Sequence, residues 1–264
     1  EKALDIVEIL NYRAALDEGR AQLESYPITL PFIRELHKVL LSGVRGQDKS
    51  PGSFRKDQNW IGRPGSSMED ALFIPPSPLA LEGHLRNWQT YLESDDIDPL
   101  VQTAVMHAQF ELIHPFKDGN GRIGRILIPL YLFQKKRLST PMFYLSGFLE
   151  RNRPAYYERL VGISRDGDWN GWVEFFLNAV EKQAIENGEK AQRIMALHDR
   201  MKREVQELTH SQYSMDTVDA LFHNPIFQTS DFIAYTDIKK ATAKSILKKL
   251  VNSGHLEVRE ASRG

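Results

Sequence analysis

Cysteine is absent from all 264 residues, which excludes disulfides, thiolate zinc sites and cysteine nucleophiles. Long apolar runs are absent as well. The longest, Ile126 to Phe133 (ILIPLYLF), is far short of the ~20 residues a bilayer-spanning helix needs. No secretory leader pattern opens the chain, so a cytoplasmic location without a membrane partner is expected. There is no internal repeat and no low-complexity tract. A strong overall charge is also missing: the net value is −1, which by itself points to no class of partner. Its distribution is more telling, because Thr236 to Gly264 hold seven basic residues against three acidic ones.

The content is that of an ordinary globular chain, 41% hydrophobic and 26% charged. Apolar residues at helical spacing (Leu4, Val7, Leu10, Ala14) predict a helix over 2–24, and Pro31 opens a second running to Gly43. Residues 46–78 are rich in Gly, Ser and Pro and read as one long irregular excursion, a kind of segment that is usually functional in a compact domain. Ser77-Pro78 and Asp98-Pro99 each pair an N-cap with proline at the first helical position. They predict helices to about Ser94 and to His114. Further helices are expected over 121–136, 154–164 and 169–208. In the tail, helix-sized segments at 216–223, 230–235 and 239–253 precede Gly254 and a strand-like His255-Leu-Glu-Val258. That order is the order of a winged helix-turn-helix with a basic recognition helix.

The densest chemistry lies in His114-Pro-Phe-Lys-Asp-Gly-Asn-Gly-Arg-Ile-Gly-Arg125. Gly119, Gly121 and Gly124 let backbone approach a ligand closely, and N–H groups at a helix start bind anions. Arg122 and Arg125, three apart, would share a helix face and could grip successive phosphates. Asp118 suits a divalent cation, and His114 is the side chain able to act as a base near neutral pH. The run Gly119 to Gly124 also satisfies G-x-G-x-x-G. A dinucleotide fold requires a preceding strand and an acid about 20 residues on. Residues 101–113 show no two-residue alternation, and no Asp or Glu occurs between Asp118 and Glu150, so that reading fails. His107 and the remaining histidines show no metal-ligand spacing.

The twelve residues match in full the signature H-P-F-x-[D/E]-G-N-G-R-x-x-R, and the chain thereby resembles the Fic family (filamentation induced by cAMP). The likeness extends to Pro51-Gly-Ser-Phe-Arg55, Trp60-Ile-Gly62, Phe73-Ile-Pro-Pro76, His107-Ala-Gln-Phe-Glu-Leu-Ile113 and Tyr156-Tyr157. It implies a mainly α fold: a helical bundle with a small β-hairpin flap, plus a C-terminal winged helix-turn-helix. The boundaries expected are 1–30 for an N-terminal helical segment, 31–210 for the Fic domain and 211–264 for the winged helix. The activity implied is transfer of AMP from ATP to a Tyr, Ser or Thr hydroxyl of a target protein, or of the chain itself, with magnesium.

Carried over by position, the resemblance makes His114 the general base and Asp118 the magnesium ligand. Gly119, Asn120, Gly121 and Gly124 become the anion hole and its helix start, with the Asn120 amide on the α-phosphate. Arg122 takes the β-phosphate and Arg125 the γ-phosphate. Phe116 buries the loop and Lys117 faces solvent. Leu72, Phe73 and Ile74 are the flap residues, which would hold a target backbone by strand addition; a plain surface loop is the competing reading. Tyr156, Tyr157 and Ser164 fall where the family lines its nucleotide pocket, although aromatics at a helix start also suit a core.

The implied partners are ATP and an unspecified target protein. DNA or protein at the winged helix and a homodimer remain open, as do AMP removal, transfer of another phosphate-containing group, and a nucleotide-sensing regulator. The family's inhibitory pattern [S/T]-x-x-x-E-[G/N] is not found: Arg151 and Val258 follow the two nearest matches, at Ser146 and Ser253. The first residue is Glu1, so such a segment is expected to lie upstream of it.

Overall fold

A computed structural model describes residues 2–62, 67–94 and 98–258. Eleven helices occur among them: α1 (Lys2–Leu23), α2 (Leu30–Leu40), α3 (Pro78–Glu93), α4 (Pro99–Ile113), α5 (Asn120–Gln134), α6 (Ser146–Arg151), α7 (Arg153–Asp166), α8 (Trp169–Thr209), α9 (Ser214–His223), α10 (Thr229–Thr236) and α11 (Lys240–Asn252). The chain is mainly helical, as its periodicity predicts. It forms two compact units, Glu1–Ile185 and Glu186–Gly264.

Helix starts follow local chemistry. The Asp98 side chain accepts the Leu100 N–H at 2.8 Å, and the Thr29 hydroxyl accepts that of Phe32 at 3.3 Å. Ser77 precedes Pro78 but makes no such side-chain bond. The short α6 was not expected from the sequence.

α4 and α5 form the centre of the first unit because each packs on two sides. One core joins Leu36, Trp88, Phe110, Phe116, Leu127 and Tyr131; another joins Ile128, Phe148, Tyr156, Leu160, Trp172 and Phe176. α4 is accordingly buried nearly all round, and its polar residues find partners inside. Gln102 donates to the carbonyls of Tyr91 and Ser94 at 2.8 and 2.7 Å. The indole N–H groups of Trp88 and Trp172 donate to the Met106 and Ala104 carbonyls of α4 at 3.0 and 2.8 Å. Helix carbonyls keep a second lone pair for such bonds. The turn from α4 to α5 is therefore held between two packed layers.

Among the described residues the expected hairpin flap shows one antiparallel bridge, Ile61 with Phe73. Ile61 donates to the Phe73 carbonyl at 2.9 Å, and Leu72 and Phe73 donate to that of Ile61 at 2.8 and 3.1 Å. The ladder stops there because Pro75 and Pro76 have no N–H to donate. Their carbonyls are instead taken by side chains, Gln58 at 2.9 Å and Arg55 at 2.5 Å.

In the second unit α9, α10 and α11 pack around Val218, Phe232, Ile238, Ala243, Ile246 and Leu250. The turn between α10 and α11 places Asp237 in the left-handed region, at φ 53°. The three expected helices are present, but the expected wing strand at 255–258 is not. The N–H groups of His255 and Leu256 both donate to the Leu250 carbonyl, at 2.9 and 3.2 Å, closing the end of α11. Those donors are then lost to a sheet ladder. Residues 259–264, the rest of the expected winged helix, lie outside the described residues.

Candidate active site

The stretch from His114 to Arg125 spans the six-residue loop between α4 and α5 and the first turns of α5. His114 ends α4 in the left-handed region, at φ 48°. Its carbonyl is thereby turned to accept from Arg55 Nε at 2.9 Å. Arg55 is itself 3% exposed, and its backbone N–H reaches the Pro115 carbonyl at 2.9 Å. The guanidinium also donates to the Pro76 and Ile113 carbonyls, so one side chain ties both ends of the 46–78 excursion to the loop.

His37 clamps the loop from α2. The Gly52 N–H donates to its Nδ1 at 2.7 Å, which leaves Nε2–H to donate to the Asp118 carbonyl at 2.9 Å. Burial holds His37 below the usual histidine range, consistent with this neutral tautomer. Its ring stacks on Phe116 at 3.8 Å, and Phe116 is fully buried.

Asn120 takes a task the sequence did not suggest. Its side-chain amide donates to the Phe116 carbonyl and accepts the Phe116 N–H, each at 2.8 Å. Both ends of the amide are spent on the loop, so the side chain is a clasp and only the backbone N–H is left for a ligand. Gly119 caps α5 at φ 79° and lies against His37, where a Cβ would meet Nε2 at 3.3 Å.

The N–H groups of the first turn of α5 have no carbonyl of their own helix to meet, and they border a cavity of about 660 Å³. A second, of about 550 Å³, shares His114, Gly121, Arg125, Arg153, Tyr156 and Tyr157 with it and extends beneath Ile61, Leu72 and Phe73. His114 Nδ1 lies 3.1 Å from the Glu111 carbonyl, which can only accept, so Nε2 carries the lone pair. Burial holds this ring down to about 4, unprotonated at neutral pH. Arg122 Nη2 lies 3.6 Å from Asp118 and bonds the Arg45 carbonyl at 3.3 Å. Arg125 makes no hydrogen bond or ion pair with the described residues.

The polar groups behind the cavities are ordered. His107, fully buried, donates from Nδ1 to the Gly124 carbonyl at 3.1 Å, so its Nε2 accepts the Tyr156 hydroxyl at 3.0 Å. Tyr156 is 6% exposed, both a core residue and a wall. Tyr157 is more open, with the Arg153 guanidinium over its ring at 5.5 Å. Leu72 and Ile74 are exposed beside the bridge and Phe73 is half-buried. Ser164 is not brought to either cavity: it borders a separate one with Phe73, Gln109 and Trp169. Lys117 borders the first cavity and pairs with Asp57 at 2.7 Å.

Further charged residues reach the cavities. Glu8 of α1 lies 3.7 Å from Arg122 and 3.3 Å from Arg45, so an acid and a third arginine join the first cavity. Arg153 opens α7. Glu111, one turn before His114, is 7% exposed. No local motif announces Glu8 or Arg45, which come from elements remote in sequence. In the sequence Glu111 stood out only as part of the family-like stretch His107 to Ile113, with no role attached to it.

Residues 27–132 match the sequence profile of the Fic/DOC family. The protein adenylyltransferase Fic of Drosophila mojavensis is 28% identical over 179 residues, 66% of this chain and 32% of that protein. That of Aedes aegypti is 29% identical over 180 residues, again 66% of this chain and 32% of that protein. The chain thus spans about a third of the length of the curated relatives it matches. Among solved structures, a Fic family protein from Desulfovibrio desulfuricans G20 superposes with a TM-score of 0.60 at 21% identity, covering 93% of this chain and 68% of that one. A Fic domain containing signaling protein from Bacteroides thetaiotaomicron VPI-5482 gives 0.55 at 19%, covering 69% and 70%.

Proposed function

We infer, from a chain whose residues 27–132 are a Fic domain, that this protein transfers AMP from ATP to a hydroxyl group of a target protein and releases pyrophosphate. The observation that carries the reading is the convergence of an unprotonated His114, the open N-terminus of α5, and Arg122 and Arg125 on connected cavities.

In this reading the target hydroxyl, of a Tyr, Ser or Thr, gives its proton to His114 Nε2 as its oxygen bonds the α-phosphorus. The bond from that phosphorus to the bridging oxygen breaks, and pyrophosphate leaves with the electron pair. The backbone N–H groups of Asn120 and Gly121 receive the α-phosphate oxygens. Arg122 offsets charge developing on the leaving group, and Arg125 holds the γ-phosphate. The base lies against Tyr156 and Tyr157, and the Leu72–Ile74 edge pairs with the target's backbone.

Magnesium fits the donor chemistry. Among the described residues no group of three or more acid or histidine side chains gathers for a metal. Magnesium, however, is commonly held by one or two carboxylates plus phosphate oxygens and waters. Asp118, whose side chain is 41% exposed at the cavity, supplies one. A bound ion would offset phosphate charge.

The deciding experiment supplies ATP labelled at the α- or the γ-phosphate, with magnesium, to the protein and a lysate. Label reaching protein only from the α-position supports AMP transfer; γ-label means a kinase and sinks the reading. A second reading concerns the other unit. Lys240, Lys244 and Lys248 form an exposed stripe on α11 with no acid on that helix, which favours contact with DNA phosphates or an acidic protein surface. DNA binding that weakens steeply with salt supports the former.

A further inference from the structure

Glu111 is a buried acid without a partner. Its Oε1 is shut from solvent and makes no hydrogen bond; Gln102 and Gln109 on the same helix also leave an amide oxygen unpaired, but neither carries a charge. An unpaired carboxylate in such a place is costly unless a charge answers it.

The surrounding groups narrow what could answer it. From its own helix comes His107, whose two ring nitrogens are occupied by Gly124 and Tyr156. From α7 comes Tyr156, whose proton is given to His107. From α5 comes Arg125, whose guanidinium is uncommitted. Two glycines of α5 make room for the meeting. Glu111 Oε1 occupies the space that a Cβ on Gly124 would take. At Gly121 the same empty Cβ position has Arg125 Nη1 at 3.1 Å and Glu111 Oε1 at 3.9 Å. Carboxylate and guanidinium therefore flank one glycine, near neighbours without a direct bond. Burial raises the Glu111 carboxyl to about 7 while Arg125 opposes the rise.

We propose that Glu111 is a positioning residue for Arg125: it anchors the guanidinium from behind so that the free edge of the fork faces the nucleotide's terminal phosphate. This rests on the reading of Arg125 as the γ-phosphate ligand. Two adjacent planar donors on guanidinium suit this division between an internal carboxylate and a phosphate.

The test measures ATP and ADP affinity separately, with magnesium and without a target protein, so it does not depend on AMP transfer. Wild type is compared with Glu111→Gln, Arg125→Ala and the double variant. Glu111→Gln is nearly isosteric, and its thermal midpoint is measured alongside. The expected result is a loss of about tenfold in ATP affinity for Glu111→Gln with ADP affinity nearly unchanged. The double variant should be no worse than Arg125→Ala alone. Equal weakening of ATP and ADP in Glu111→Gln, as a purely structural role would give, overturns the inference, and so does full additivity in the double variant. If Arg125→Ala itself fails to separate ATP from ADP, the phosphate role of Arg125 falls and the inference with it. AMP transfer by the wild type would still be judged by the labelled-ATP experiment. Should Glu111→Gln unfold, Glu111→Ala in the Arg125→Ala background supplies the same comparison: no further loss of ATP affinity supports the pairing, and further loss overturns it.

Discussion

His37 and Asp118 lie 81 positions apart, yet the Nε2–H of one donates to the backbone carbonyl of the other at 2.9 Å. That bond, with Phe116 stacked on the same ring, sets where the Asp118–Gly119 turn stands relative to α2. His37→Ala removes a packed ring and leaves the Asp118 carbonyl and the Gly52 N–H without their partner. The expected cost is about 2–4 kcal/mol in urea unfolding, with weaker ATP binding. A change below about 0.5 kcal/mol would show that the clamp contributes little.

His114 should act as a base well below the ordinary histidine range. A general base must be unprotonated, so the rate rises with pH through its pKa and levels above it. With the folded value near 4, transfer at saturating ATP should stay flat from about pH 7 down to pH 5.5 and fall only nearer 4. Circular dichroism at each pH separates this from unfolding. A limb centred near 6.5 would contradict the burial argument. His114→Ala should lose about 10²–10⁴-fold in rate while ATP affinity stays close to wild type.

Gly124 should not tolerate a side chain. Its missing Cβ is where the Glu111 carboxyl sits, and His107 Cε1 would be 3.3 Å away. Gly124→Ala should destabilise by about 1–3 kcal/mol. Glu111→Ala in the same chain should return part of that loss, because it removes the clashing group. A double variant at the sum of the two singles would place the clash elsewhere.

His107 should make the first unit acid-sensitive. Burial holds its folded pKa at about 3, against 6.5 when unfolded. Between those values the unfolded state binds the extra proton, so stability declines as pH falls from 6.5 toward 3 and is fully present above 6.5. The decline should reach a few kcal/mol near the lower end. Urea midpoints at pH 7 and pH 5 measure the slope, which His107→Gln should flatten. An unchanged slope in that variant would assign the acid sensitivity to other groups.

Much of this was legible beforehand, for reasons that can be named. The ends of α4 and α5 follow from Asp98-Pro99 and from the glycines after Asp118, signals carried by immediate neighbours. The expected wing strand is missing at 255–258, and the expected flap shows one bridge among the described residues, because local pattern does not say where N–H groups will go. In the fold, Leu250 takes those after Gly254, and side chains of Arg55 and Gln58 meet the carbonyls of Pro75 and Pro76. The Asn120 side chain shows the same limit: the motif does not say that the tight 116–120 loop takes up both of its bonding ends.

By itself, the sequence determined the helices and the concentration of His114, Asp118, Arg122 and Arg125 in one short stretch, because caps, periodicity and spacing act within a few residues. Only the tertiary structure decided that Glu8 and Arg45 reach Arg122, that His37 fixes the loop, and that Glu111 and Arg125 flank Gly121. Those relations depend on how α1, α2, α4 and α5 pack. Packing joins residues dozens of positions apart, through distances that no local pattern encodes.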